Sequence, residues 1–133
     1  MAAFNSFEEI KSWQKARLFC KQISTICEAT GLSKVYKLKD QLSGSSGSLM
    51  DNIAEGFGRG GNGEFIQFLE ISHASACESQ SQLYRVADKK YISEEKFKEL
   101  YENVSEIRRM IIALINYISK SPMSGPKYKI RQK

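Results

Sequence analysis

Apolar side chains recur along this chain at alternating steps of three and four, the spacing of helices that each bury one face. The cleanest run is Phe97, Leu100, Val104, Ile107, Ile111, Leu114 and Ile118, an a/d stripe without a miss. Ser93 stands ahead of it as a natural N-cap, and Glu94 and Glu95 fall in the first turn, where the helix dipole favours acids. The spacing predicts a helix running to about Lys120 and stopping before Pro122.

Three earlier stretches carry the same period. Phe65, Leu69, Ser72, Ala76, Ser79, Leu83 and Val86 form a third helix whose three middle layers are small. Small seam residues let a neighbouring backbone come close and call for a bulky side chain opposite, for which Trp13 is the candidate. The first helix offers Trp13, Ala16, Cys20, Ile23 and Cys27, with Ser6 and Glu9 spaced as a capping box at its start. The second offers Leu38, Leu42, Ser45, Leu49, Ile53 and Phe57, with Gly44 and Gly47 lowering its intrinsic propensity. Links at about 31–36, 58–63 and 89–92 are short, so consecutive helices must be antiparallel. The prediction is an all-α, up-down-up-down four-helix bundle over residues 1–119. Phe19, Ile26, Phe68, Ile71, Tyr101, Ile112 and Ile115 lie beside the stripes. They either widen the core face or form an intersubunit surface.

At 133 residues the chain is one domain long, and 1–121 holds no proline. No run of about 18 apolar residues could span a membrane. The first twenty residues carry Glu8, Glu9 and Lys11 and no apolar core of signal-peptide type. Cys20, Cys27 and Cys77 are an odd number without a metal or redox spacing, and read as small buried hydrophobes in a reducing compartment. A cytoplasmic location is expected. Residues 1–119 hold 15 Lys or Arg and 15 Asp or Glu, so the net charge of +5 resides in Lys120, Lys127, Lys129, Arg131 and Lys133, an acid-free tail over 120–133 expected to be flexible. Within the neutral part, 11–39 carries seven bases and one acid, whereas 60–106 carries nine acids and five bases. A cationic side facing an anionic one favours head-to-tail contacts, which close into rings.

Little in the chain points to catalysis. His73 is the sole histidine, and acid–base, triad and most transition-metal chemistry leans on histidine or clustered thiols. No catalytic residue, metal site or cofactor is assigned. Gly56-Phe-Gly-Arg-Gly-Gly61 spells a dinucleotide-binding pattern, but a helix and not a strand precedes it. It reads instead as a helix C-cap and turn built from Gly58, Gly60, Gly61 and Gly63, with anion capture beside Arg59 as a second reading. Glu55 and Arg59 stand four apart in the favourable order, and Asn52 lies one turn earlier on nearly the same face. Those polar groups can form a structural or interface network, or meet a ligand.

Asn52-Ile-Ala-Glu-Gly-Phe-Gly-Arg59 followed by Glu64-Phe-Ile-Gln-Phe-Leu69 resembles the signature of a bacterial four-helix-bundle family named for intervening sequences of 23S ribosomal RNA genes. Trp13-Gln-Lys-Ala16, Leu38-Lys-Asp-Gln-Leu42, the stretch Ser75 to Leu83 and Tyr91-Ile92 extend the likeness over roughly 4–118. The resemblance implies a homo-oligomer, usually a ring of five, with no established activity and a suspected association with RNA or DNA. Asn52, Glu55, Gly56, Gly58 and Arg59 carry the family motif. The chain departs from the family pattern at Ser43-Gly-Ser-Ser46, where arginines are usual, and around Ala74–Cys77.

Two functions follow. One is a non-enzymatic homo-oligomer that contacts RNA or DNA electrostatically through Lys11, Lys15, Lys21, Lys34, Lys37, Lys39, Arg59, Lys127, Lys129, Arg131 and Lys133. The other is a scaffold or accessory subunit whose partner is a protein, its basic tail only solubilising.

Overall fold

In the computed structural model, which describes residues 4–29 and 31–120, the apolar stripes become four helices. They are α1 (Lys11–Ala29), α2 (Tyr36–Gly58), α3 (Asn62–Asp88) and α4 (Glu94–Ser119). Short 3-10 turns at Phe7–Glu9 and Gly31–Lys34 precede α1 and α2, and no strand occurs among the described residues. Lys127, Lys129, Arg131 and Lys133, and with them the expected flexible tail, lie outside the described residues.

Side-chain contacts fix the direction of every neighbouring pair. Along α1 and α4, Lys15 meets Glu106 while Gln22 meets Asn103 and Glu99, so one sequence rises as the other falls. Ser72 with Leu49, Ser75 with Ser48 and Ser79 with Ser45 give the same reversal between α3 and α2. Tyr84 packs on Phe97 and Gln80 reaches Ser105 between α3 and α4, and Cys20 with Ser46 and Cys27 with Ser43 pair α1 with α2. The bundle is therefore up-down-up-down, with α1 closing against α4.

The core follows the predicted seams closely. All seven α3 positions are buried, as are Leu38, Leu42, Ser45, Leu49 and Ile53 of α2 and Leu100, Val104, Ile107, Ile111 and Ile118 of α4. Among the flanking residues, Phe19 and Ile26 enter the core at 1% and 6% exposure. Phe68, Tyr101 and Ile115 are half-buried, whereas Ile71 and Ile112 are each 45% exposed. The wide-core reading thus accounts for the α1 members and not for Ile71 or Ile112.

The small layers work differently from expectation. Trp13 is half-buried and packs edge-on against Phe7, 5.0 Å between ring centroids, so it anchors the entrance to α1. What meets the small residues of α3 is α2 itself, the most closely packed neighbour. The Ser72 hydroxyl donates to the Leu49 carbonyl at 2.5 Å, and Ser45 donates to Gln82 Oε1 at 2.6 Å with the Ser79 hydroxyl 2.8 Å away. Hydroxyls that answer one another let two backbones approach without stranding a polar group in the core. Ser6 and Glu9 form no capping box: the Ser6 side chain makes no cap bond, and Glu9 Oε1 accepts from the Asn5 N–H at 3.0 Å. Ser93 caps α4 as predicted, accepting from the Lys96 N–H at 3.0 Å. Cys27 is buried, but Cys20 and Cys77 are only half-buried. Burial pushes the Cys20 and Cys27 thiols above their ordinary value, which keeps them protonated.

Candidate functional site

Antiparallel packing sorts the predicted cations to opposite ends of the bundle. Lys11, Lys15 and Arg59 lie towards the end formed by the start of α1, the α2–α3 turn and the close of α4, where Lys120 also stands. Two of these four cations are engaged. Lys15 Nζ is 3.6 Å from Glu106 Oε1. Arg59 Nη2 is 3.0 Å from Glu55 Oε2, and the guanidinium sits 4.9 Å from the Phe68 ring centroid. Lys21 is exposed on α1 between the two ends.

At the other end, the link before α2 meets the turn between α3 and α4. Lys34 of that link and Lys37 and Lys39 of the first turn of α2 are joined by Arg85 near the close of α3 and by Lys89 and Lys90 of the turn. Lys37, Arg85 and Lys89 line one cleft of about 400 Å³, together with Val35, Leu38, Asp88 and Tyr91. A second, of about 700 Å³, shares Asp88 and Tyr91 with the first and adds Lys90, Tyr84 and Phe97. Arg85 Nη1 donates to Gln41 Oε1 at 3.1 Å, and Lys39 Nζ rests 5.1 Å from the centroid of the Tyr36 ring. Among the described residues, none of these six cations has a carboxylate within ion-pair distance, whereas Lys15, Arg59, Lys96 and Arg109 all do. Two carboxylates stand among these cations: Asp88 lines both clefts and Glu94 the larger one.

Arg85, Lys89 and Lys90 escape a reading of the sequence by charge blocks, because they fall in its acid-rich half. The signal that could have found them is topological. An up-down bundle places its first and third links side by side, so lysines in both converge.

The Asn52–Arg59 motif divides into packing and surface parts. Asn52 Nδ2 donates to the Ser48 carbonyl at 2.8 Å and to its hydroxyl at 2.9 Å, and Ser48 is 2.8 Å from Ser75 Oγ. This ties the motif to the α2–α3 seam. A Cβ on Gly56 would stand 2.6 Å from Phe68 Cβ, so glycine is what allows the helices to touch there. Gly58 faces open space, and only Gly60, at φ 92°, needs glycine's left-handed freedom in the turn. Gly61 serves as the α3 N-cap and Gly63 lies inside α3, so the turn is shorter than predicted. The Glu55–Arg59 pair is about half exposed and contributes roughly 0.3–0.5 kcal/mol.

His73 belongs to a polar network on the outer side of α3 and α4. Its Nε2 accepts from Arg108 Nε at 3.2 Å, and Arg108 Nη1 donates to Gln80 Oε1 at 2.8 Å. Burial and the neighbouring guanidinium both hold the imidazole below its ordinary value, so it is neutral. Among the described residues no three of His, Cys, Asp and Glu converge as metal ligands, and no helix is long and apolar enough to cross a membrane.

The family model for the 23S rRNA-intervening sequence protein matches residues 8–113. A crystal structure from Bacteroides thetaiotaomicron, described as a protein of unknown function from the S23 ribosomal protein family, superposes with a TM-score of 0.72 at 23% identity. The match covers 79% of this chain and 95% of that one, and at such identity it speaks for the fold alone. No curated protein matches the chain.

Proposed function

The chain belongs to the 23S rRNA-intervening sequence protein family, and from that premise we propose that it is a non-enzymatic, cytoplasmic homo-oligomer that holds RNA or DNA electrostatically. One observation carries the reading: six cations from the start of α2, the close of α3 and the links beside them stand at one end of the bundle without an ion-paired carboxylate among the described residues. A phosphate backbone can take the place of the missing acids and release its condensed counterions on doing so. Lys21 on α1 and the tail lysines and Arg131 would add to that footprint, and Lys11 with them. Lys15 and Arg59 would contribute little, because each already holds a glutamate.

Self-association is supported by Ile71, Ile112 and Leu18, the last 56% exposed. A pentameric ring would repeat the cationic end five times and raise avidity without sequence readout. The charge polarity of the sequence is partly spent within one bundle, where Lys15 of α1 pairs with Glu106 of α4. The motif from Asn52 to Arg59 then serves packing: Asn52 and Gly56 fix α2 against α3, and Glu55, Gly58 and Arg59 close the turn. The absence of catalysis is supported by His73, whose Nε2 lone pair is occupied by Arg108. The alternative, a protein partner, finds its support in the exposed Tyr84 and its contacts with Phe97 and Tyr101.

An electrophoretic shift assay at about 50 mM salt tests the proposal. Full-length protein is expected to retard RNA or DNA, with log affinity falling linearly in log salt and weaker binding when 120–133 is deleted. No shift by the full-length protein overturns the nucleic-acid reading. Co-purification of one stoichiometric protein without nucleic acid would favour the alternative.

A further inference from the structure

Tyr36 is the first residue of α2 and the most exposed large apolar side chain of the described residues, at 69%. An aromatic ring left in water at a helix start does nothing for the core. Its surroundings are distinctive: Lys34 and Lys37 flank it in sequence, and Lys39 Nζ lies 5.1 Å from its centroid. Val35 and Lys37, its immediate neighbours, line the cleft that also holds Arg85, Lys89 and Tyr91. That cleft continues through Asp88 and Tyr91 into the one bounded by Tyr84, Lys90 and Phe97. Tyr36 itself lines neither cleft; it stands beside the first on the helix start that supplies Val35 and Lys37, with Lys39 turned to the groove between α1 and α2.

The geometry points to a binding site for single-stranded nucleic acid at this end, in which Tyr36 stacks an unpaired base while Lys37, Arg85, Lys89 and Lys90 track the backbone. The assignment rests on the nucleic-acid reading above and sharpens it from any polyanion to unpaired strands. A duplex stacks its base faces on one another, so an exposed ring reaches them only by unstacking a step at a cost in free energy. A single strand offers those faces, and stacking tolerates any base because each has a π-face. The cations would serve either substrate. The ring is therefore the discriminating element and the lysines the shared one.

The test is fluorescence anisotropy with full-length protein and labelled oligonucleotides of about 16 nucleotides, single-stranded RNA, single-stranded DNA and the corresponding blunt DNA duplex. Wild type is compared with Tyr36→Ala, Tyr36→Phe and the double variant Lys37→Ala/Lys89→Ala. Tyr36→Ala is expected to weaken binding of a single strand, RNA or DNA, about tenfold, to leave duplex binding unchanged, and to preserve the salt slope. Tyr36→Phe keeps the ring and should bind as wild type. The double lysine variant should lower the salt slope on single strands by about 1.4, two phosphate contacts at about 0.7 each. Because Tyr36 is exposed, circular dichroism should show each tyrosine variant folded as wild type. The inference fails if Tyr36→Ala binds single strands as tightly as wild type, or if the duplex binds as well as they do, while the lysine dependence remains. If wild type binds none of the three, the electrostatic reading falls with it.

Discussion

Replacing Gly56 by alanine probes the contact that sets the α2–α3 distance. The added Cβ would lie 2.6 Å from Phe68 Cβ, 3.2 Å from Phe65 Cδ1 and 3.3 Å from the Phe65 carbonyl oxygen. The first contact is roughly 1 Å inside ordinary carbon–carbon separation. Because Phe68 Cβ is rigidly tied to the α3 backbone, relief requires moving a helix and not merely a rotamer. Overpacking of this kind costs about 1–3 kcal/mol, with the rigid neighbour placing this site at the upper end. Alanine returns about 1 kcal/mol of helix propensity, leaving a net loss of about 2 kcal/mol. Gly44 supplies the control, being exposed in the same helix with nothing within 4 Å of an added Cβ. Gly44→Ala should stabilise by about 0.5–1 kcal/mol. Thermal unfolding followed at 222 nm, with protomer concentration matched across variants, should place Gly56→Ala about 8 °C below wild type and Gly44→Ala about 3 °C above. If both substitutions stabilise alike, the helices do not approach as closely as described and the argument for the motif glycine is refuted.

The serine seam and the lone histidine give two further tests. Ser45→Ala leaves the buried Gln82 Oε1 and Ser79 hydroxyl without that partner. Urea unfolding should show a loss of about 1–3 kcal/mol, against less than about 0.5 for Ser24→Ala on the exposed side of α1. His73 has a folded-state value below its ordinary 6.5, so between the two the unfolded chain binds more protons and stability rises with pH. Stability should be full above pH 6.5, decline as the pH falls from there towards the depressed folded value, and lose that decline in His73→Gln. A urea midpoint flat through this window in wild type would contradict the burial of His73 and its place beside Arg108.

Much of the fold was written in the spacing of apolar residues, because a helix that buries one face cannot hide its period. The α2 stripe held through Gly44 and Gly47 since burial of Leu42, Leu49 and Ile53 outweighs two unfavourable propensities. Trp13 misled because volume alone proposes a filler, whereas serine hydroxyls satisfying one another let α2 fill the gap with its own backbone. The departures at 43–46 and 74–77 gain a physical reason here. Ser45 is buried and bonded to Ser79 across the α2–α3 seam, where an arginine would strand a charge, whereas Ser43 and Gly44 are exposed; at 74–77, Ser75 bonds Ser48 across the same seam and Ala76 is buried. Ser6 and Glu9 had the right spacing for a capping box but sit in a 3-10 turn, which the local pattern does not distinguish from a first helical turn. The cationic end was half legible. Lys34, Lys37 and Lys39 stand together in sequence, while Arg85, Lys89 and Lys90 join them only once α3 has doubled back along α2. Tyr36 carried no periodic signal at all, and its exposure appears only in three dimensions.

Light scattering coupled to size-exclusion chromatography, with absorbance read at 260 and 280 nm in the same peak, tests most directly whether this bundle assembles and carries nucleic acid. The account predicts a mass that is a multiple of the 15.1 kDa protomer, five-fold for a ring of the kind the family resemblance implies, and excess absorbance at 260 nm when purified at low salt. A single species at 15.1 kDa with a protein-only spectrum would contradict it.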